Sequence, residues 1–508
     1  VTSPLMTPID PSNFAVLFAP NITNNELRDD EKLVMANLAA RLMNGLYQTE
    51  LRLSGLYYDG LNIVPSLGIS VPPELETLRA VLGWCAAGID ARSERLHVQG
   101  FRMPGQLTVD DSLHEIWQEN NMDAESVLVH EAAMIYGRAY VVVGPSDADG
   151  SPLITTESPT NMIGSWDVRN RCLSAAYQTY FDVDPASDTY RHQLATLYTR
   201  DSTVQLVQGS KGWSVQERND HRMGFVPVVQ FSCRSRIHDR LGKSEITSAW
   251  RNTQDRACRT LVRSEVSGEF FASPKVWLLG ATEQAFQNSD GSLATAWETY
   301  TGRISALEAD EAGNLPQVQF QQGANPDGFI ASLNHERQMM AGHTGLPPQY
   351  LGIFGDGNPA SADAIRMSDF RLKTTADRLA VSFGNDWENV MRMAMQVDGS
   401  VLPEEAERME TDWSYTGIPT PNADAVTVTT QIAAGMIPPD SDDALAQCGW
   451  TPVQRERIAE ARKRSQGMAV LTNALTGLKP AVQPMDGAQQ GALAGLNAKR
   501  STDAASAG

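Results

Sequence analysis

The sequence predicts an α+β chain, helical towards both ends with its strands gathered in the middle, and three observations carry that reading. Apolar residues recur at helical intervals over 31–57, 72–96 and 110–135, and again over 242–271. Between about Leu153 and Cys233 the pattern changes to alternation punctuated by turn residues. From Ser361 the helical period returns over the longest uninterrupted stretch of the chain.

Taken in order, Leu33, Val34, Leu38, Leu42, Leu46 and Leu53 form one apolar stripe over 31–57. Leu75, Leu78, Leu82, Cys85 and Ile89 do the same over 72–96, behind Pro72 and Pro73, where a helix start tolerates a missing N–H. A helix over 110–135 runs into the Val-rich stretch 140–143, which Asp147, Asp149 and Gly150 close as a hairpin turn. Residues 195–207 alternate as strands, and Gly209 to Gly212 reads as a turn. In the helix expected over 242–271, Ile246, Trp250, Leu261, Val262 and Val266 interleave with Arg251, Arg256, Arg259 and Arg263. Pro274 ends it, and 276–279 begins a short strand of an inserted module that carries Glu308, Asp310 and Glu311. A helix over 326–343 precedes a Gly- and Pro-rich loop at 345–359. In 361–397, Ile365, Leu372, Leu379, Phe383, Trp387, Val390 and Ala394 share one face, and Asp363, Arg366, Asp369, Lys373, Asp377 and Arg378 share the other. Shorter helices are expected near 424–434, 441–447 and 452–475, and a disordered tail over 480–508.

With 508 residues, 42% hydrophobic and 20% charged, the composition is that of ordinary globular domains and excludes a collagen-like or disulfide-framework protein. The 61 acidic against 41 basic residues give a net charge of −20, which argues against a general binder of nucleic acid or anionic membranes. Five cysteines, odd in number and never in a C-x-x-C pair, fit free thiols in a reducing compartment. No apolar run approaches the roughly 18 residues of a membrane span. Asp10, Pro11 and Asn13 stand where a secretory signal would be apolar, so synthesis and assembly in a cytoplasm are expected.

No chemical motif is complete. Gly242-Lys243-Ser244 resembles the end of a phosphate-binding loop, but Ile237 occupies the position of its first glycine, so a helix start with Ser244 as cap is expected instead. Gly355-Asp356-Gly357-Asn358-Pro359-Ala360 fits a loose dinucleotide fingerprint with no strand before it. His130-Glu131 and His335-Glu336 begin zinc-protease patterns that Met134 and Met339 fail to complete. The Arg-rich stretch 449–464 has the charge of a DNA-recognition helix, but the acidic residues at 440–443 favour a solvated helical face. No catalytic residue, metal or cofactor is expected.

The order of short stretches is more telling than any single motif. Tyr136-Gly137-Arg138-Ala139-Tyr140 closes a helix and opens a strand; Gly224-Phe225-Val226-Pro227-Val228-Val229 precedes Gly242-Lys243-Ser244-Glu245-Ile246 and a helix. Thr344-Gly345-Leu346-Pro347-Pro348 and Leu351-Gly352 then precede Ser361-Ala362-Asp363-Ala364-Ile365 and the longest helix. Over about 30–475 the chain resembles the portal, or head–tail connector, proteins of tailed double-stranded-DNA bacteriophages, especially long-tailed phages of actinobacteria.

That resemblance implies a cyclic ring of roughly twelve subunits, a dodecamer, at one capsid vertex of the virion, with genome DNA passing through its channel during packaging and ejection. It implies a wing at 1–242, stem helices at 243–272 and 326–344, and between them a clip at 273–325. A tunnel loop at 345–360, a wing helix and return at 361–420, and a crown at 421–479 would follow. Ile353, Phe354, Gly355, Asp356, Gly357 and Asn358 would meet the DNA. Trp277, Leu279, Glu308, Asp310 and Glu311 would meet clip partners, the terminase large subunit of the packaging motor and then a head–tail adaptor. Major capsid and scaffold proteins complete the implied partners, with no membrane. The composition equally admits another multimeric virion protein, a capsid or adaptor subunit, and leaves a metal-dependent hydrolase as the enzymatic rival.

Overall fold

Asn44 breaks the first helical stretch in two. Helix α1 (Asp29–Leu42) ends there, and the Asn44 carboxamide oxygen accepts from the N–H groups of Leu46 and Tyr47 at 2.9 and 3.4 Å to start α2 (Gly45–Tyr58). A second break follows the same logic. The stretch expected as one helix over 110–135 is α4 (Asp111–Glu119) and α5 (Met122–Tyr136), separated by Asn121 in the left-handed region at φ 54°. Between these pairs, α3 covers only Trp84–Ser93, shorter than the helix expected from Pro72. These assignments come from a computed structural model that describes residues 27–64, 79–106, 109–146, 150–210, 212–271, 275–279, 317–321, 325–352, 362–399, 402–414 and parts of 428–468.

The strands arrive where alternation placed them. β2 (Arg138–Pro145) pairs with β3 (Pro152–Glu157) as a hairpin and with β9 (Val228–Ser232), giving the order β3-β2-β9. A five-stranded antiparallel meander runs in sequence order: β4 (Met162–Asp167), β5 (Cys172–Phe181), β6 (Gln193–Tyr198), β7 (Thr203–Gly209) and β8 (Gly212–Asn219). Gly209 faces Gly212 across the last turn, as the glycine pair predicts. β1 (Val98–Arg102) pairs with the distant β12 (Glu410–Trp413).

Helix α6 (Ser248–Phe271) starts later than the apolar pattern suggests, because 242–247 is a close-packed turn. Gly242 has φ 81°, and a Cβ there would stand 2.2 Å from the Gly137 carbonyl oxygen, so only glycine fits. Ser244 is therefore no helix cap; its hydroxyl donates to the Ile135 carbonyl at 2.5 Å and accepts from the Ile246 N–H at 3.0 Å. After α6 come the ribbon β10 (Lys275–Leu279) and β11 (Gln317–Gln321), then α7 (Asp327–Thr344), a 3₁₀ turn at Pro348–Leu351, and α8 (Ala362–Val397), the longest helix. A second 3₁₀ turn, Glu404–Arg408, leads into β12.

The chain divides into two compact units, Val1–Ile418 and Pro419–Gly508. In the first, α8 packs on β2 and β9, α5 packs on β2, and α6 pairs with α7. The largest apolar cluster lies between these layers. Trp387 of α8 meets Phe231 at 4.5 Å and Trp117 at 5.1 Å between ring centroids, while Phe383 stacks on His130 at 5.1 Å. A second cluster joins α1 to one face of the meander, through Met35, Leu38, Leu42, Ile163, Tyr177, Leu197, Val204 and Leu206. In the second unit, short helical turns fall within 428–465, with Val428 and Ala444 buried.

Candidate functional site

Of the residues the sequence singled out, Ile353, Phe354, Gly355, Asp356, Gly357 and Asn358 lie outside the described residues, as do Glu308, Asp310, Glu311 and the tail 480–508. Trp277 and Leu279 sit two apart on β10, and so on one face of the ribbon, opposite Gln319 and Gln317 of β11. The described geometry therefore concerns the two flanks of the loop, 342–352 before it and 367–371 after it.

The first flank begins where α7 ends. Gly345 takes φ 73° and donates its N–H to the Ala341 carbonyl at 2.8 Å, a left-handed helix stop that suits glycine. A Cβ at Gly345 would stand 2.9 Å from Nε of Arg371, which lies on the second flank. Thr344 closes the turn, donating from its hydroxyl to the Met340 carbonyl at 2.7 Å and accepting from the Leu346 N–H at 3.2 Å. Its carbonyl accepts a hydrogen bond from Arg92 of α3, a cation that also bonds the Gly88 carbonyl and lies 5.1 Å from the Trp250 ring centroid. Burial pulls the Arg92 guanidinium below its ordinary value, yet it caps the negative end of α7.

The second flank is tied to the first through Arg95. Its two terminal nitrogens donate to the two Asp369 carboxylate oxygens at 2.8 Å each, a bidentate pair with both side chains under a tenth exposed. One of the same nitrogens donates to the Tyr350 hydroxyl at 3.2 Å. Burial opposes the Arg95 charge, but the bonds to Asp369 and Tyr350 outweigh it and hold the guanidinium above its usual value. Two shorter ties run beside it: Gln349 donates to the Ser368 hydroxyl at 3.5 Å, and Arg371 to the Gly342 carbonyl at 3.0 Å. One cation from a third element thus fixes the residues on either side of the loop, so whatever the loop touches is anchored to the body of the unit.

Sequence reasoning missed this anchor. Asp369 was expected on the polar face of α8, and it is buried because Arg95 lies opposite it. The only local signal is a pair of hydrogen-bonding residues, Tyr350 and Asp369, bracketing a Gly-rich loop.

The incomplete motifs have structural explanations. In 242–246 the amides that would cradle a phosphate are committed, Lys243 N–H to the Cys233 carbonyl at 2.8 Å and Glu245 N–H to the Met134 carbonyl at 2.9 Å. His130 accepts from the Trp387 indole N–H through Nε2 at 2.9 Å, and burial pushes it down to about 3, so it is a neutral core residue. Among the described residues no three His, Cys, Asp or Glu side chains gather as metal ligands. A groove of about 440 Å³ beside the end of α8 is lined by Phe225, Met393, Leu402, Pro403, Arg392 and Glu404, among others. Arg392 is fully engaged there, with the Ala406 carbonyl, Asn389 and Glu388, and no nucleophile faces it.

Comparison with known proteins gives the fold a lineage. A portal protein of Mycobacterium phage L5 is 32% identical over 427 residues, covering 82% of this chain and 86% of that one. A portal protein of Mycobacterium phage D29 is 31% identical over 433 residues, covering 83% and 87%. Among solved structures, a chain from the virion of a native gene transfer agent particle aligns at 15% identity, covering 80% of this chain and 94% of its own, with a TM-score of 0.42. One from the neck of an empty gene transfer agent particle aligns at 16% identity with the same coverage and TM-score. The family model for phage portal proteins of the SPP1 Gp6-like type matches residues 50–467, and the chain belongs to that family.

Proposed function

We propose that the chain is the subunit of a cyclic ring, of about twelve copies, at one vertex of a phage capsid, and that genome DNA is packaged and ejected through the ring's channel. The observation that carries this reading is the match to phage portal proteins across 50–467. Within it, the loop Ile353–Asn358 meets the DNA, held in place by the Arg95 anchor. The clip around Trp277, Leu279, Glu308, Asp310 and Glu311 receives the terminase large subunit and later the head–tail adaptor, with capsid and scaffold proteins around the ring. The wing, stem, clip and crown follow the boundaries inferred from the sequence.

Charge supports the passage of DNA rather than its retention. Every phosphate neutralised by Lys or Arg adds affinity through counterion release, so a conduit for a sliding polyanion works best with few cations to offer. A subunit of net charge −20 meets that requirement. The ring has no catalytic step of its own; the motor docked on it supplies the work.

The loop assignment is tested by deleting 353–357 and measuring genome filling of particles by DNA quantification. Rings of unchanged size with underfilled heads are expected. Normal filling would remove the loop from the account.

A further inference from the structure

Helix α8 buries one side along its length, but its opposite ridge is apolar where a solvated helix would be charged. Met367, Phe370 and Val381 are 76%, 67% and 68% exposed, and at their spacing they share a stripe with Thr374, Arg378 and Asn385. From 367 to 385 the stripe runs about 27 Å at 1.5 Å per residue. It contains no carboxylate; the nearest, Asp377, is bound to Lys373 at 2.8 Å. Large exposed apolar stripes of this kind mark interaction surfaces.

A second unpartnered face lies on α7. That helix packs against α6 and the 3₁₀ turn, leaving Ile330, Ala331, Asn334, His335 and Gln338 exposed. These again include no carboxylate, since Glu336 of this helix is buried against Thr260. With 18 residues α7 also spans about 27 Å. Both faces flank the same loop, one on each side.

We infer that the α8 ridge is an interface for a second copy of this chain, and that the surface it meets is the exposed α7 face of that copy. The inference rests on the ring reading proposed above. A head-to-tail ring needs two different complementary patches on every subunit, one facing each neighbour. Copies of a chain with net charge −20 repel one another wherever carboxylates meet, so contact is favoured where none are presented. The two faces satisfy that condition, match in length, and place Met367 and Phe370 against the apolar Ile330 end. Flanking the loop that the ring reading puts at the channel, both would lie at small radius, where adjacent subunits crowd most closely.

The test is Phe370→Asp, alone and with Met367→Asp, read by native mass spectrometry and sedimentation beside a Leu153→Asp control on β3. The ridge variants should raise the concentration for half-assembly at least about tenfold with an unchanged circular dichroism spectrum, and the control should not. In a Cys172→Ser, Cys448→Ser background, Asn334→Cys together with Phe370→Cys should give a ladder of disulfide-linked subunits on oxidation, and neither alone should. Wild-type rings with unaffected ridge variants and no ladder would overturn this inference and leave the ring reading standing. A wild-type chain that never assembles would overturn both. Altered DNA passage with unaltered assembly would assign the ridge to DNA and also overturn it.

Discussion

The five-stranded meander and the layer around α8 are both buried cores of one unit, but they are closed by different forces. The meander carries α1 on one face, and its polar edge is sealed by ions. Glu31, only 4% exposed, receives both terminal nitrogens of Arg218 at 2.8 and 3.0 Å, the Ser202 hydroxyl at 3.1 Å and its own helix's Arg28 N–H at 2.9 Å. The α8 layer is closed by aromatic rings, Phe101, Trp117, Phe231, Phe383 and Trp387, around a neutral His130. A core sealed by a carboxylate and one sealed by a neutral imidazole should fail in different conditions. The difference also fits their places in the chain: the meander pairs neighbours in sequence, whereas the α8 layer gathers residues hundreds of positions apart.

The largest expected effect comes from removing the centre of the aromatic core. Trp387→Ala deletes three ring contacts and the His130 hydrogen bond, and should lower stability by about 3–5 kcal/mol in urea unfolding followed by circular dichroism. A loss below about 1 kcal/mol would place the centre elsewhere. Arg95→Met leaves the Asp369 carboxylate buried without its cation, at a cost of about 3 kcal/mol. It should raise amide exchange in 346–352 and 366–372 while leaving the meander protected. Uniform exchange throughout would mean that the anchor is not local.

Acid separates the two cores. Burial lowers the folded-state value of His130 from 6.5 to about 3, so between those limits the unfolded chain binds the extra proton. The stabilisation is complete above pH 6.5 and lost as pH falls towards 3, about 2 kcal/mol of it by pH 5. Glu31 behaves differently. Burial works to raise it, but the bonds from Arg218, Arg28 and Ser202 outweigh burial and leave it below its ordinary 4.5. Its contribution is present above pH 4.5 and lost only below that. Hydrogen exchange at pH 7 and pH 5, corrected for intrinsic rates, should show the α8 layer loosening first, and His130→Gln should abolish the difference. Glu31→Gln should cost less, about 1–3 kcal/mol, confined to the meander and α1.

These contrasts explain what could be read in the sequence. The meander is legible because each strand pairs with the next, and turn residues such as Gly209 and Gly212 announce the reversals. The long helix at 362–397 is legible from its apolar period. The breaks at Asn44 and Asn121 are not, since the apolar spacing runs on through them while the chain turns. Nor is the role of Asp369, which depends on Arg95, 274 residues earlier, or of His130, which reads as a failed metal motif until Trp387 is placed beside it. Local rules find elements; contacts across hundreds of residues decide which polar groups are buried. The loop was visible as a Gly-rich interruption, and the anchor that positions it was not.

The account stands or falls on assembly. Native mass spectrometry of the full chain, with electron microscopy of the same sample, measures it most directly. The prediction is a closed ring of one subunit number with a central hole wide enough for duplex DNA. Closed shells, open filaments or compact particles without a channel would contradict it.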